Sequence, residues 1–416
     1  MQIPIRYGKD DIIDLSVPEK NLLGVFNPNP VAKFDEAALI AKALANPINQ
    51  KSFDEFIAGD EKIVIIVNDG TRPTPTAKIL KQIYPKLRDK NKIFIIATGC
   101  HREGTLDEYN MIFSKEIYPE IRAKNEVHDH DSKHDEMVFL GESKNGTQMY
   151  LNKIVAEAKK VIVIGSVEPH YFAGYTGGRK AFLPGTASYE SITQNHKLAL
   201  SPDAQALRLE GNPVHEDMID AMKVLSNIDV FSIQTVLDSE HGVYYASAGD
   251  LNDSFYDCVK KADEVFCVNI PQKADIVISV APYPMDVDLY QAQKALDNGK
   301  LALAKDGILI MVAKCRTGIG PKPFFELMAS ADTPKKVLEK INSGFKLGYH
   351  KAAKMAEISL WAQTWAVTDL SDDEMKAVHL KPYRDLQKAV DEALAQKGKD
   401  AKIIILPFGS MTVPKV

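Results

Sequence analysis

Short apolar runs recur along the chain, and each ends abruptly in a polar, glycine-rich or proline-rich break. Lys62–Val67, Lys92–Ala97, Val161–Ile164, Ala274–Val280 and Gly307–Ala313 are of this kind. Runs without alternation are buried on both faces, as the strands of a parallel sheet are. Between them the spacing turns helical, with apolar residues three and four apart. It predicts helices over Asp35–Asn46, Thr76–Arg88, from Thr105 onward, Ser188–Ala199, Val214–Leu225, Asp253–Val265 and Tyr383–Gln396. Thr105 and Glu108 have the spacing of a capping box, and Ser371-Asp372-Asp373-Glu374 reads as another helix start. Further strands are expected at Ile228–Val236, Trp365–Thr368 and Ala401–Leu406, and a β-rich start within residues 1–35.

Strand, break and helix in repeated succession predict an α/β fold with parallel-type sheets. At 416 residues the chain exceeds one ordinary core, so two α/β domains are expected. The main boundary falls near residue 270. An N-terminal domain covers 1–270, with 397–416 crossing back to join it, and a C-terminal domain covers 271–396.

Composition changes this picture little. A formal net charge of −5 argues against general nucleic-acid or anionic-membrane binding, which needs a basic face. No apolar run reaches the roughly 20 residues that span a bilayer, and the N-terminus lacks the apolar core of a signal peptide. The expected location is the cytoplasm. Cys100, Cys258, Cys267 and Cys315 form no CxxC pair and are read as reduced thiols.

The chemistry gathers where strands end, the position at which open α/β sheets bind ligands. After the first run come Asp69, Thr71 and Arg72; after the second, Gly99 and His101. After the third, His170 is followed by Gly174, Gly177 and Gly178 and then by Arg179-Lys180. Two strand-end histidines make an acid/base pair, because imidazole titrates near neutrality. Lys180 suits covalent attachment or, with Arg179, anion binding. GYTGGRK lacks the spacing of a nucleotide-binding P-loop, and no GxGxxG follows a first strand, so NTPase and free-NAD chemistry are set aside. The His128–His134 stretch, rich in His and Asp, reads as a solvated loop rather than a metal cluster, and Thr317–Gly320 as a turn. In the second half Tyr290 and Lys294 lie four apart on one predicted helical face, with Gln291 beside them.

Five motifs in order, Asp69–Pro73, Ala97–Arg102, His170–Lys180 with Leu183–Gly185, Asn195-His196 and Tyr290–Lys294, resemble the nickel-dependent lactate racemase family over nearly the whole chain. The resemblance implies two α/β domains with an active-site cleft between them, and inversion of the C2 centre of a small 2-hydroxy acid through a 2-oxo acid. It implies a nickel-pincer nucleotide cofactor, the nickel complex of pyridinium-3,5-bisthiocarboxylic acid mononucleotide, assembled and loaded by separate biosynthetic proteins. Lys180 would be its covalent tether and His196 the nickel ligand. Asp69, Thr71, Gly177 and Gly178 would line the cofactor. His101 and His170 would be the catalytic acid/base pair, while Arg72, Lys294, Tyr290, Gln291 and His350 would meet the substrate. The family's lactate enzymes carry a tryptophan where this chain reads Gly348-Tyr349-His350-Lys351; its tryptophans are Trp361 and Trp365. That departure leaves the substrate's side chain open. The residues by themselves also admit a non-catalytic binding protein for an acidic metabolite or nucleotide, or a lyase on the same scaffold.

Overall fold

The computed structural model describes residues 1–341 and 343–416. The chain divides into two compact units. Pro30–Val265 forms a central unit, and Met1–Asn29 together with Phe266–Val416 forms a terminal unit.

The central unit is built on a six-stranded sheet. Ile63–Asn68 lies in its middle and pairs in parallel with Lys92–Ala97 on one side and Lys160–Ser166 on the other. Val127–Asp129 extends the first side, and Asp229–Leu237 extends the second, also in parallel. Val243–Gly249 closes that edge antiparallel. The chain thus runs outward from the central strand, returns beside it and runs outward the other way. The reversal falls between Ile63–Asn68 and Lys160–Ser166, which makes their carboxyl ends the topological switch point where such sheets hold ligands. The apolar runs are buried as their lack of alternation requires: Ile63 to Val67 and Val161 to Ile164 are nearly inaccessible. On one face Ile63, Ile65, Val67, Ile162 and Ile164 pack with Ile79, Leu80 and Ile83 of the Thr76–Leu87 helix in one apolar core. Full burial of each such side chain is worth about 1.5–3 kcal/mol.

The terminal unit repeats the plan. Ala274–Val280 pairs in parallel with Leu303–Val312 and with Ile403–Leu406, and Gln363–Val367 and Lys381–Tyr383 extend the sheet. Its far edge is Leu22–Val25, parallel to Ile403–Leu406. This corrects the expected boundaries. Residues 1–29 belong with the C-terminal half, because Ile3, Ile5, Leu15 and Val17 share an apolar cluster with Ile276, Ile310 and Trp365. Residues 397–416 stay in that unit too, because Ile403–Leu406 is an interior strand of its sheet.

Helix starts follow their caps. Thr105 and Glu108 close a capping box ahead of Leu106–Ala123, and Ser371 and Glu374 close another ahead of Asp372–Ala377. The last helix begins at Leu386 rather than Tyr383, which ends an edge strand. The Tyr290 segment is two short helices, Leu289–Ala292 and Lys294–Gly299, meeting at Gln293. Among the described residues no helix is long and apolar enough to cross a membrane.

Candidate active site

Asp69 follows the central strand and His101 lies four residues past its neighbour, Lys92–Ala97. Parallel pairing of Asn68 with Ala97 brings the two loops together. The His101 Nδ1 atom lies 2.6 Å from Asp69 Oδ2, and the Thr71 hydroxyl donates to Asp69 Oδ1 at 2.8 Å. Asp69 is buried, while His101 keeps 37% of its side chain exposed. Burial pushes the Asp69 carboxyl up, but His101, then Arg72 and Thr71, outweigh it and hold the group below its ordinary value. The carboxylate therefore stays ionised and fixes the orientation of the imidazole. Arg72 is half-buried, and its backbone N–H bonds the Asp69 carbonyl in the same turn.

The loop after Lys160–Ser166 holds a second cluster. His170 is buried, with its ring 4.5 Å from Phe172, and Phe172 in turn lies 5.2 Å from the His196 ring. The Lys180 ammonium sits 5.5 Å from the centre of the same Phe172 ring. One phenyl ring thus gathers His170, Lys180 and His196. His196 rides the Tyr189–Lys197 helix, and its Nδ1 is sealed from solvent. Burial, with the positive charge of Lys180, pushes its imidazole down to about 3, so the ring is neutral. Ser166 ties the two loops at the switch point: its hydroxyl meets that of Thr74 at 2.7 Å, and its carbonyl accepts from Thr176 at 2.9 Å.

The glycines of this loop serve packing. Gly177 and Gly178 have positive φ, and a Cβ at Gly177 would lie 2.7 Å from Val167 Cγ2. The Gly178 N–H is committed to the buried Gln234 side chain at 3.1 Å. Both glycines thus let the loop fold inward upon the protein. Arg179 departs from an anion-binding reading. It is fully buried, and its guanidinium donates to the carbonyls of Ala173 and Tyr175 at 2.9 and 3.0 Å and, more loosely, to those of Thr176 and Gly177.

In the terminal unit the Thr317–Gly320 turn backs the Tyr290 helix, since the Gly318 and Ile319 carbonyls accept from the N–H groups of Leu289 and Tyr290. The Tyr290 ring stands edge-on to Phe324 at 5.4 Å. Lys351 lies over that ring at 3.9 Å and donates to the Tyr290 carbonyl, and Gln293 donates to the Lys351 carbonyl at 2.8 Å. His350 is buried on the same helix as Lys351. Gln291 donates its N–H to Asp288, the cap of the helix, and Lys294 opens the next one.

Asp69, expected as a cofactor contact, also bonds His101, which sequence reasoning missed. The signal was there only in part, since two strand-end motifs carry a carboxylate and an imidazole, but nothing local says that their strands are neighbours. Gln234 carried no signal, and the motifs that contain Phe172 and Lys351 say nothing of the rings and carbonyls these two meet. The His128–His134 stretch is more buried than a solvated loop: His130 is inaccessible and bonds the Ala187 carbonyl at 2.9 Å, while His128 pairs with Asp135 at 2.8 Å. Among the described residues no group of His, Cys, Asp and Glu could hold a metal by itself.

His215 gives a pH prediction. It is buried, its Nε2 lies 3.0 Å from the Tyr256 hydroxyl, and burial with the nearby Arg179 charge pushes it down to about 3 from 6.5. Its folded value lies below its unfolded one, so the unfolded chain binds the extra proton as pH falls through 6.5, and the loss of stability continues down to about 3. The apoprotein is expected to lose about 1.5 kcal/mol through this group between pH 6.5 and about pH 5. Urea unfolding at the two pH values checks it, and His215→Gln is expected to flatten the slope by that amount.

The fold and these strand-end clusters define a two-unit α/β enzyme. The sequence profile of the lactate racemase N-terminal domain matches residues 7–207, and that of the lactate racemase C-terminal domain matches 270–413. The lactate racemase of Thermoanaerobacterium thermosaccharolyticum is 33% identical over 98% of this chain and 97% of its own, and that of Lactiplantibacillus plantarum 32% over 92% of each. The structure of the Thermoanaerobacterium lactate racemase apoprotein superposes with a TM-score of 0.91 at 32% identity, covering all of both chains. A Thermotoga maritima structure shares the fold with a TM-score of 0.72 at 16% identity, covering 92% of this chain and all of its own. The chain belongs to the lactate racemase family and is an isomerase.

Proposed function

We propose that this enzyme inverts the C2 centre of lactate, or of a somewhat larger 2-hydroxy acid, with a nickel-pincer nucleotide held in the central unit. The observation that carries the reading is the cluster around Phe172: a lysine, a sealed neutral imidazole and a second histidine share one ring. That donor set suits the cofactor. A neutral imidazole such as His196 is a metal ligand of the kind nickel takes, and Lys180 beside it is an amine able to carry a covalent link. Lys180 would tether the group and His196 would bind its nickel. When bound, the cofactor supplies a carbon that takes up and returns a hydride, which a 2-hydroxy acid needs because its C2–H is too weak an acid for simple proton abstraction.

The chain's own residues do the rest. Arg72 and Lys294 bring positive charge for the substrate carboxylate, Arg as a fork and Lys as a point charge. Asp69 holds His101 by Nδ1, so that Nε2 faces the substrate hydroxyl, and His170 serves the opposite face. Tyr290 and Gln291 would meet the substrate. The polar His350 and Lys351, where the family's lactate enzymes place a tryptophan, support a substrate side chain at least as large as that of lactate. Cofactor-assembling proteins load the enzyme in the cytoplasm.

Protein co-produced with those assembling proteins is expected to hold about one nickel per chain and to invert one single-enantiomer 2-hydroxy acid. Substrate deuterated at C2 is expected to keep its label through inversion. Washout of that label to solvent would point to a proton-moving lyase-type reaction instead, and nickel-free, inert protein beside a loaded control racemase would overturn the proposal.

A further inference from the structure

The two histidines make opposite bonds through the same ring atom. His101 Nδ1 faces the ionised Asp69 carboxylate at 2.6 Å, so that nitrogen carries the proton and donates it, leaving the lone pair on Nε2. His170 Nδ1 instead accepts the backbone N–H of Ala173 at 3.3 Å. A nitrogen that accepts an N–H holds a lone pair, which puts the proton of a neutral His170 on Nε2. From this we infer that the resting enzyme holds its two acid/base histidines in opposite tautomers, His101 as a proton acceptor and His170 as a proton donor at Nε2, and that the buried Arg179 is the positioning residue that sets the second.

The case for Arg179 is geometric. His170 pairs with Gly174 in a two-residue ladder, so the turn between them fixes where the Ala173 N–H points. Arg179 grips that turn from inside, through the carbonyls of Ala173 and Tyr175. Its hydrogen-bond partners among the described residues are backbone carbonyls, and its guanidinium lies 4.3 Å from the centre of the Phe255 ring. A fully buried cation is costly to desolvate, and here the offset comes from carbonyls that can meet it only when the loop is folded this way. Lysine offers a point charge in place of a fork and cannot hold the same carbonyls together.

The functional meaning rests on the racemase reading. A substrate hydroxyl on the His101 face meets a lone pair and can give up its proton at once. One on the His170 face meets an N–H, and His170 accepts at Nε2 only after its own proton moves to Nδ1 and displaces the Ala173 bond. The resting enzyme is thus set for one enantiomer. Because the equilibrium constant of a racemisation is one, kcat/KM must be equal for the two enantiomers, so the asymmetry appears as kcat and KM values that differ by a common factor.

Imidazole nitrogen chemical shifts of the histidine-labelled apoprotein, recorded above about pH 8 where ordinary imidazoles are neutral, test the first part without any variant. The expected spectrum has His101 protonated at Nδ1 and His170 at Nε2. His170 protonated at Nδ1, or both rings alike, would overturn it. Arg179→Lys and Arg179→Met test the second part, with His101 as internal control. Loss of the single His170 tautomer while His101 stays unchanged is expected in whichever variant folds. An unchanged His170 in either folded variant removes Arg179 from the proposal, as does failure of both to fold, which reduces its role to general stability. In loaded enzyme given D- and L-lactate, Arg179→Lys is expected to shrink the common factor separating the two kcat values. Opposite tautomers in a protein that inverts no hydroxy acid would sink the racemase reading and leave the tautomer assignment standing.

Discussion

Lys180→Ala is expected to give a protein that folds like its parent, carries no covalent adduct after denaturation, and loses racemisation by more than about 10⁴-fold. The physical ground is the entropy trap: a tethered reactant acts at effective concentrations of about 10⁵ M or more, and a freely diffusing one does not. Lys180 is half-buried over Phe172 in a short turn from Gly178 to Ala181, so truncation leaves the surrounding loop in place. Arg179 and the Gln234 bond to Gly178 hold the loop. Intact mass of denatured protein is the deciding measurement. Retention of the adduct mass in the alanine variant would mean that another residue is the tether.

Asp69→Asn is expected to lower kcat by about 10²- to 10⁴-fold, the range of general acid–base catalysis, while leaving the fold intact. The amide is the same size, yet it can present its NH₂ to His101 Nδ1 and so turn the ring's lone pair away from the substrate. It also removes the carboxylate charge that faces the ring when it has taken a proton. Because racemisation has an equilibrium constant of one, the loss must be equal in kcat/KM for both enantiomers. Thr71→Ala, which removes only the hydroxyl bonded to the other carboxylate oxygen, is expected to cost no more than about tenfold, the effect of roughly 1.4 kcal/mol, near the upper end for one neutral-donor bond. Steady-state rates of loaded enzyme from each enantiomer check both. An Asp69→Asn enzyme retaining more than about a tenth of parental kcat would reduce Asp69 to a packing role.

The proposed tautomers give these numbers a common frame. Asp69 acts on His101 through a charge, and Arg179 acts on His170 through the backbone. The first is expected to fail under a change that keeps shape and removes charge; the second, under a change that keeps charge and removes shape.

How much of this was legible in the chain follows from the range of each interaction. The strands at Ile63–Asn68 and Lys92–Ala97 were readable because burial on both faces imposes an unbroken apolar run. The helix at Leu106 was readable because its capping box spans four residues. The strand-end placement of Asp69, His101 and His170 followed from the same local signals, and the motif order carried the family. Only the tertiary structure decided which strands are neighbours, and with that the bond between Asp69 and His101, the gathering of His170, Lys180 and His196 around Phe172, and the position of Arg179 inside the loop rather than toward an anion. It also decided that Leu22–Val25 and Ile403–Leu406 pair across almost the whole length of the chain. Caps and periodicities are set by residues a few positions apart, whereas sheet order and charge burial are set by contacts between segments whose separation in sequence says nothing of their distance in space.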